Sequence, residues 1–439
     1  MENLQSYRND PQQLYSQLAR LLQSATGSEL SNPTSAEVEN FPKRYFRGGR
    51  SQAIAQLETL DPVRYGSTRN FVSGAVTRLS PWLRHGVLSL AEVRDAAISK
   101  VEHASQAEKL VSELGWRDYW QRVREARPEG VWQELETPAA EPRGEVIDYL
   151  PEDIANGETG LACVDAFCKK LVRDGWLHNH ERMWLASWLV HTRKVSWKVG
   201  AAWFLKHLLD ADPASNNFSW QWVAGVFSSK PYIFNRNNLE RFTNGVHCEV
   251  CPVLGHCDFE GTYEELNESL FVRTYGERSE KLTIPPVISY DTRDVPDESL
   301  VWITQDSLST QSPALLRAPA SPTVFIFDPH VLSEELPSFK RIAFICECFA
   351  DFQDLEVWFG NSASVLQERA QAYTVNAVSV AKTSCPAVRH VAETLSVTLP
   401  VFAIDWPPFC DPSRVKDLGR FSRYWNKVSK TAMKPTASV

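Results

Sequence analysis

The spacing of apolar residues divides the chain into two parts with different expected structures. In the first part, Leu, Val, Phe and Trp recur three and four positions apart, in the runs 106–124, 161–175, 181–193 and 198–209. That spacing is typical of helices that bury one face. We therefore expect an all-helical domain over residues 41–284.

Short apolar runs of strand length follow from about residue 300. They read LVWIT (300–304), TVFIF (323–327), RIAFICECF (341–349), LEVWF (355–359), AVSVA (377–381) and PVFAI (400–404). Helical windows lie between several of them, and strands that alternate with helices predict a parallel sheet. We expect a Rossmann-like α/β domain over 298–439, joined to the helical domain by a proline- and acid-rich linker at 285–297.

The first 40 residues are mostly polar. One amphipathic stretch contains Leu14, Leu18, Leu21 and Leu22, and a segment rich in Ser, Thr and Pro follows it. This pattern predicts a single helix and then a linker over residues 1–40.

Composition narrows the class of protein. The 439 residues are 43% hydrophobic and 23% charged, which is typical of a soluble globular protein and excludes a disordered chain. The net charge of −8 gives no overall basic field for nucleic acid, although a local basic groove is compatible with it. We find no signal peptide and no apolar run of membrane-spanning length, so a cytoplasmic location is expected.

Three cysteines form a compact CxxCx5C cluster at Cys248, Cys251 and Cys257. Thiolates at this spacing can bind one metal centre, with a fourth from the 161–175 run, where the candidates are Cys163 and Cys168. The neighbouring residues His247 and His256 keep zinc as an option beside an iron–sulfur cluster. Inert buried thiols and redox thiols are the other interpretations.

Charged and polar residues group in a second region. On a helix, Asn179, Arg182 and Met183 project to neighbouring faces, and a later loop supplies Asp210 and Asp212. An arginine opposite carboxylates indicates either structural cross-bracing or a polar wall for a planar ligand, and the pattern leaves both open.

Two further segments carry candidate chemistry. In TRLSPWLRHGVLS (77–89), Thr77 and Ser80 supply hydroxyls and backbone N–H groups that suit a phosphate or an ordinary helix cap. In ELGWRDYW (113–120), Glu113 and Trp116 share one helical face.

Together these segments resemble the FAD-binding domain of the photolyase/cryptochrome family. The resemblance covers some 180 residues in the family's order: FRGGRSQAIAQLETL (46–60), TRLSPWLRHGVLS, ELGWRDYW, TGLACVDAFCKKL (159–171), GWLHNHERM (175–183) and DADPASNNFSWQW (210–222). Family members usually begin with an α/β antenna domain. Here LVWITQDSLSTQSPALLRA (300–318) and TVFIFDP (323–329) are similar to that domain's opening strands, which implies a circular permutation.

The resemblance implies roles in binding FAD. The phosphate-side contacts match Tyr65, Thr77, Arg78, Leu79 and Ser80. Around the isoalloxazine ring, Arg182 and Asp210 match an ion pair, Asp212 matches the acceptor for the imide edge, and Asn216 matches the residue that faces N5.

The resemblance also implies a lesion pocket, an electron-transfer chain and a cluster. The pocket residues match Glu113, Trp116, Asn179, Met183 and Trp222. Trp220 matches the flavin-proximal member of the photoreduction chain, Trp197 its middle member, and Trp132 is our candidate for its surface member. A bacterial branch of the family holds a [4Fe–4S] cluster, whose ligands here are Cys163, Cys248, Cys251 and Cys257, with zinc as the alternative.

These matches lead to two functional hypotheses. The first is a blue-light-driven photolyase that repairs UV-damaged DNA, with cyclobutane pyrimidine dimers as the favoured lesion. The second is a cryptochrome-like photoreceptor that binds FAD and signals through a protein partner. An antenna chromophore in the α/β domain is compatible with both, and the sequence does not identify it.

Overall fold

The computed structural model describes residues 1–33, 44–275, 282–287 and 296–436 of the chain. The expected linker at 285–297 lies partly outside the described residues. Among the described residues, no helix combines the length and apolarity that crossing a membrane requires.

Helices build most of the first part of the chain, as the apolar spacing predicts. Their bounds are α1 Pro11–Thr26, α2 Arg50–Glu58, α3 Pro62–Thr68, α4 Ser80–Arg84, α5 Leu90–Ser99, α6 Glu108–Ala126, α7 Glu152–Asn156, α8 Ala162–Asp174, α9 Asn179–Ser187, α10 Trp197–His207, α11 Pro213–Ala224, α12 Arg236–Thr243 and α13 Tyr263–Leu270. A π-helical turn, Trp188–Thr192, extends α9.

The helical domain is not purely helical. Strand β2 (Ala140–Pro142) pairs antiparallel with β3 (Phe271–Thr274), which corrects the all-helical expectation. Both strands are short, so they left no alternating pattern in the sequence.

A six-stranded sheet forms the α/β domain. Its strands are β1 (Glu2–Asn3), β4 (Leu300–Ile303), β5 (Thr323–Phe327), β6 (Leu355–Phe359), β7 (Val378–Ala381) and β8 (Val401–Ile404), in the order β1-β6-β5-β4-β7-β8. All neighbours are parallel except β1 and β6. The connecting and flanking helices are α14 Pro313–Arg317, α15 Pro329–Glu335, α16 Phe339–Cys348, α17 Ser362–Ala372, α18 Pro386–Leu395 and α19 Phe421–Ala432.

The run 341–349 was wrongly predicted as a strand. Most of it lies in helix α16 (Phe339–Cys348), in which every residue except Glu347 is buried. A helix that is buried on all sides has a continuous apolar sequence, and periodicity cannot distinguish it from a buried strand.

The N-terminal segment belongs to the α/β domain. Asp10 caps α1 by accepting hydrogen bonds from the N–H groups of Gln12 and Gln13, and Gly27 ends the helix in the left-handed conformation (φ 73°). The guanidinium of Arg8 donates to the carbonyls of Leu355 and Phe352 at 2.8 and 2.6 Å. The segment expected to be a separate helix and linker therefore completes the sheet and its core.

The two domains meet at the carboxyl edge of the sheet. Arg84 at the end of α4 forms a buried ion pair with Asp306, which follows β4, and its Nε donates to the carbonyl of Ala211 at 2.6 Å. Beyond β7, Thr383 donates to Asp306, and Ser384 Oγ donates to Gln121 Oε1 on α6 at 2.6 Å. Polar contacts thus join the sheet edge to the helices that carry the candidate site.

Candidate functional site

A cavity of about 470 Å³ opens inside the helical domain. It collects thirteen of the seventeen residues that the sequence assigned to the cofactor, the lesion and electron transfer: Tyr65, Thr77, Arg78, Ser80, Glu113, Trp116, Asn179, Arg182, Met183, Asp210, Asn216, Trp220 and Trp222. Its volume lies within the roughly 300–1,000 Å³ of small-molecule and cofactor sites.

Helix α9 supplies one wall, and its start is tightly fixed. His178 caps the helix by accepting from the N–H of His180, while its Nε2 contacts the carbonyl of Arg69 at 3.0 Å. On the next turn, Asn179 Nδ2 lies 3.3 Å from Met183 Sδ. Burial lowers the pKa of His178 and His180 to about 4, so both rings are neutral near pH 7.

The predicted ion pair at the cavity wall is present. Arg182 Nη2 donates to Asp210 Oδ2 at 2.8 Å, and Arg182 Nε donates to the carbonyl of Leu177 at 3.0 Å. The other carboxylate oxygen of Asp210 is buried and has no hydrogen-bond partner in the described structure, and neither does Nδ1 of His180. Buried polar atoms are normally hydrogen-bonded, so these two indicate a place for a ligand.

A strained turn forms the proposed phosphate side. Arg78 has φ 54°, in the left-handed region that non-glycine residues rarely adopt. Its guanidinium lies 5.5 Å from the ring centre of Trp176, whose Nε1 donates to Ser80 Oγ at 3.2 Å. Backbone strain of this kind concentrates at ligand-binding turns.

Glu113 on α6 is paired with a cation. Arg69 Nη1 donates to Glu113 Oε1 at 2.8 Å. Burial raises the pKa of Glu113, and Arg69 partly offsets this effect. Burial also raises the pKa of Tyr65, and Glu113 raises it further, so the phenol remains a neutral donor.

The two tryptophans of the expected lesion pocket are both fixed by aromatic neighbours. The ring of Trp116 stacks on Phe421 of α19, with 3.8 Å between centroids and 12° between planes. Trp222 packs on Tyr232 at 5.6 Å. Both tryptophans line the cavity, whereas Phe421 and Tyr232 do not.

Helices α10 and α11 bring the electron-transfer candidates together. Trp220 lines the cavity and packs so closely on α10 that a Cβ at Gly200 would lie 2.3 Å from its ring. Trp197, on the same helix as Gly200, is buried and stacks with Trp132 at 6.5 Å and 15°. Trp132 is 43% exposed, so the three tryptophans extend from the cavity wall to the surface.

Four predicted residues do not line the cavity: Leu79, Trp132, Trp197 and Asp212. Leu79 is buried in the core. Asp212 caps α11, where its carboxylate accepts from Ser215 Oγ at 2.5 Å and Gln121 Nε2 at 2.6 Å. Burial alone would raise the pKa of Asp212, but Arg117 and Arg84 lower it to about 2. Protein donors therefore hold this carboxylate, and its contact with the flavin imide edge stays a prediction.

Sequence reasoning missed several residues of the cavity wall, including Arg69, Arg117 and Trp176. Arg117 lies one turn after Glu113 on α6, so the helical face that identified Glu113 also indicates Arg117. Arg69 follows α3, four positions after Tyr65. Trp176 lies inside the GWLHNHERM segment but was not singled out there.

The four predicted cysteine ligands share a second, small cavity. Cys163 on α8 faces Cys248, Cys251 and Cys257 across a lining that is otherwise mostly apolar. The alternative ligand Cys168 does not line this cavity. Within the described parts of the chain, no three His, Cys, Asp or Glu side chains converge closely enough to hold one metal ion.

The residues of the large cavity fit a flavin nucleotide. The Arg182–Asp210 pair offers charge and an unsatisfied acceptor for a polar ring edge, while the turn at Arg78 and Ser80 offers donors for phosphate. Aromatic walls provide the apolar surface that a planar ring system needs.

Comparison with known proteins agrees with this site. Residues 110–247 match the family described as "FAD binding domain of DNA photolyase". The chain is similar to a deoxyribodipyrimidine photo-lyase of Streptomyces griseus, with 38% identity over 43% of this chain and 42% of that protein. It is also similar to a cryptochrome DASH of Natronomonas pharaonis, with 34% identity over 45% of this chain and 44% of that protein.

Among solved structures, a class III photolyase from Agrobacterium tumefaciens has 26% identity, a TM-score of 0.43, and coverage of 56% of this chain and 55% of that one. The chain spans less than half the length of the two curated relatives described above. The matched region contains the cavity-lining parts of α6, α9, α10 and α11, whereas the lining residues of α3 and α4 precede it. Residues 110–247 therefore match the FAD-binding domain of DNA photolyases, and the chain is similar to both photo-lyases and cryptochromes over less than half of its length.

Proposed function

We propose that the protein is a blue-light-driven DNA photolyase that repairs cyclobutane pyrimidine dimers. One observation supports this most strongly: a single cavity contains both the flavin-type residues Arg182, Asp210 and Asn216 and the lesion-type residues Glu113 and Trp116. A cofactor and a flipped-out pyrimidine dimer would therefore lie next to each other. When bound, reduced FAD would supply the light-excited electron that the repair reaction requires.

The protein's own residues bind and orient the lesion. Trp116 and Trp222 offer aromatic surface for stacking, which is worth about 1–3 kcal/mol per base and offsets part of the cost of flipping. Burial raises the pKa of Glu113 and so favours its protonated form, whereas Arg69 favours the carboxylate. A protonated Glu113 donates a hydrogen bond to a dimer carbonyl, whereas the carboxylate form is held by Arg69.

The tryptophans support a route for reduction of the cofactor. Trp220, Trp197 and Trp132 lie in order from the cavity to the surface, and the outer two are stacked. In this proposal, Trp132 is the surface member of the chain.

The four cysteines support a [4Fe–4S] cluster over zinc. Zinc needs all its sulfur ligands about 2.3 Å from a single ion. A four-iron cluster instead binds each thiolate at a different iron, so it suits four sulfurs that share a cavity without converging on one point. Because α8, α12 and the loop after it meet there, we propose a structural role.

We also propose that the domain order reflects a circular permutation. The α/β domain follows the helical domain in sequence, and its parallel strands have the order β6-β5-β4-β7-β8. The strand that comes first in the sequence, β4, therefore lies in the middle. This is the order of a doubly wound nucleotide-binding fold.

The test is light-dependent repair by anaerobically purified, reduced protein, with oligonucleotides that carry a cyclobutane dimer or a (6-4) product. We expect turnover of the cyclobutane dimer, and at least a tenfold loss of rate in Glu113→Ala and Asn216→Ala. Glu108→Gln, on the same helix but outside the cavity, is the matched control and should repair normally. Absence of repair by FAD-loaded wild-type protein would contradict the proposal.

The alternative is a cryptochrome-like photoreceptor. It is supported by the similarity to cryptochrome DASH proteins, which is comparable in extent to the similarity to photo-lyases. A protein that photoreduces FAD but repairs neither lesion would favour this alternative.

A further inference from the structure

The segment that contains the C-terminal helix α19 is basic, although the chain as a whole is acidic. Residues 414–434 contain seven Lys and Arg and one Asp, whereas the remaining residues contain 39 Lys and Arg against 53 Asp and Glu. The one acidic residue, Asp417, is paired with Arg423. This segment is therefore a local basic region on an acidic protein.

The free charges lie on one side of the helix. Lys427 and Lys430 in α19, and Lys434 just beyond it, are exposed and make no ion pair within the described part of the chain. They alternate with the buried positions Val428 and Ala432, so they point away from the helix that α19 packs against.

The apolar side of α19 is fully used. Phe421 stacks on Trp116, and Trp425 packs against α6 so closely that a Cβ at Gly115 would lie 2.4 Å from its ring. Tyr424 donates to Asp118 of the same helix. Because no apolar face is left to bury, the helix is not suited to insert into a partner's hydrophobic groove or a lipid surface.

We infer that the lysine face of α19 (Lys427, Lys430 and Lys434) is a second DNA-binding surface, which contacts the phosphodiester backbone. The inference rests on the proposed function and extends it. A base is flipped only while the flanking duplex is held, and backbone contacts supply that hold. The stack of Phe421 on Trp116 fixes the start of α19 against the helix that carries the cavity wall.

Salt dependence of binding tests the inference. In darkness, the affinity of the full chain for an undamaged fluorescent duplex is measured by anisotropy at several KCl concentrations. Each phosphate contact contributes about 0.9 to the slope of log K against log salt. We expect K427Q/K430Q/K434Q to lower the slope by about 2 to 3 and to weaken binding at least tenfold at low salt.

The matched control removes three exposed lysines from other elements, in K100Q/K169Q/K198Q, and should keep the wild-type slope. A slope that is unchanged in K427Q/K430Q/K434Q, with wild-type protein binding DNA and repairing lesions, would overturn this inference alone. Binding of DNA by neither protein would overturn the proposed function together with it. All six lysines are exposed, so the variants should fold.

Discussion

The helical cavity and the carboxyl edge of the sheet are both positions where such folds commonly bind ligands. The buried polar groups at the two positions differ in whether the protein supplies their hydrogen-bond partners. At the sheet edge, the outer face of the central strands is the expected ligand crevice of a doubly wound fold. There Asp306 is paired with Arg84 and also accepts from Thr383. In the cavity, Asp210 Oδ1 and His180 Nδ1 are buried without a partner.

The difference distinguishes a structural polar network from a ligand site. At the sheet edge, Asp306 and Arg84 are satisfied by each other and by Thr383 and the carbonyl of Ala211, so this pair holds the two domains together. The cavity groups are only half satisfied by protein, which is the expected state of groups that bind a cofactor. Both sites contain an Arg–Asp pair, so the presence of an ion pair alone does not separate the two cases.

The largest expected effect comes from breaking the pair at the sheet edge. Asp306→Ala leaves the buried guanidinium of Arg84 without a counterion, which should lower the free energy of unfolding by about 3 kcal/mol. Urea denaturation of the wild-type and variant proteins without cofactor measures this loss. An unchanged midpoint would show that this pair does not hold the domains together.

Breaking the Arg182–Asp210 pair in the cavity should have a smaller effect, on FAD binding rather than on stability. Asp210→Asn removes the charge that balances Arg182 and should weaken FAD binding at least tenfold. The FAD content of purified protein and titration of FAD into cofactor-free protein measure this. Asp174→Asn, whose partner Arg173 is on the surface, is the control and should bind FAD normally.

The smallest effect should come from the hydrogen bond that links the two sites. Ser384→Ala removes the donor to Gln121, which in turn donates to Asp212. We expect a loss of about 1 kcal/mol in unfolding free energy with little change in FAD affinity. Ser396→Ala, an exposed serine of the same domain, should change neither. A tenfold loss of FAD affinity in Ser384→Ala would contradict a purely structural role.

Much of the fold could be predicted because local periodicity determines it. Strands β5 and β6 occur at the apolar runs 323–327 and 355–359. Helices α17 and α18 lie between predicted strands, where the sequence indicated helical windows. Strand β1 could not be predicted, because two residues carry no periodicity and their partner strand is far away in the sequence.

The candidate site came from motifs rather than from periodicity, and its gaps follow from that. Resemblance identified Arg182 and Asp210, which lie within the segments that resemble the family, and the ion pair is present. It could not identify Phe421 behind Trp116, because this contact joins the cavity wall to a helix outside the matched segments. The sequence position of Asp212 also does not reveal that Arg117 and Gln121 contact its carboxylate.

The pairing of β1 with β6 has a consequence for the kinetics of folding. Gln5, just after β1, accepts a hydrogen bond from the N–H of Val357, 352 positions later in the chain. During synthesis, β1 leaves the ribosome long before its partner strand exists. The helical domain can collapse in that interval because its contacts are more local, whereas completion of the sheet closes a very long loop and should be a late, slow step.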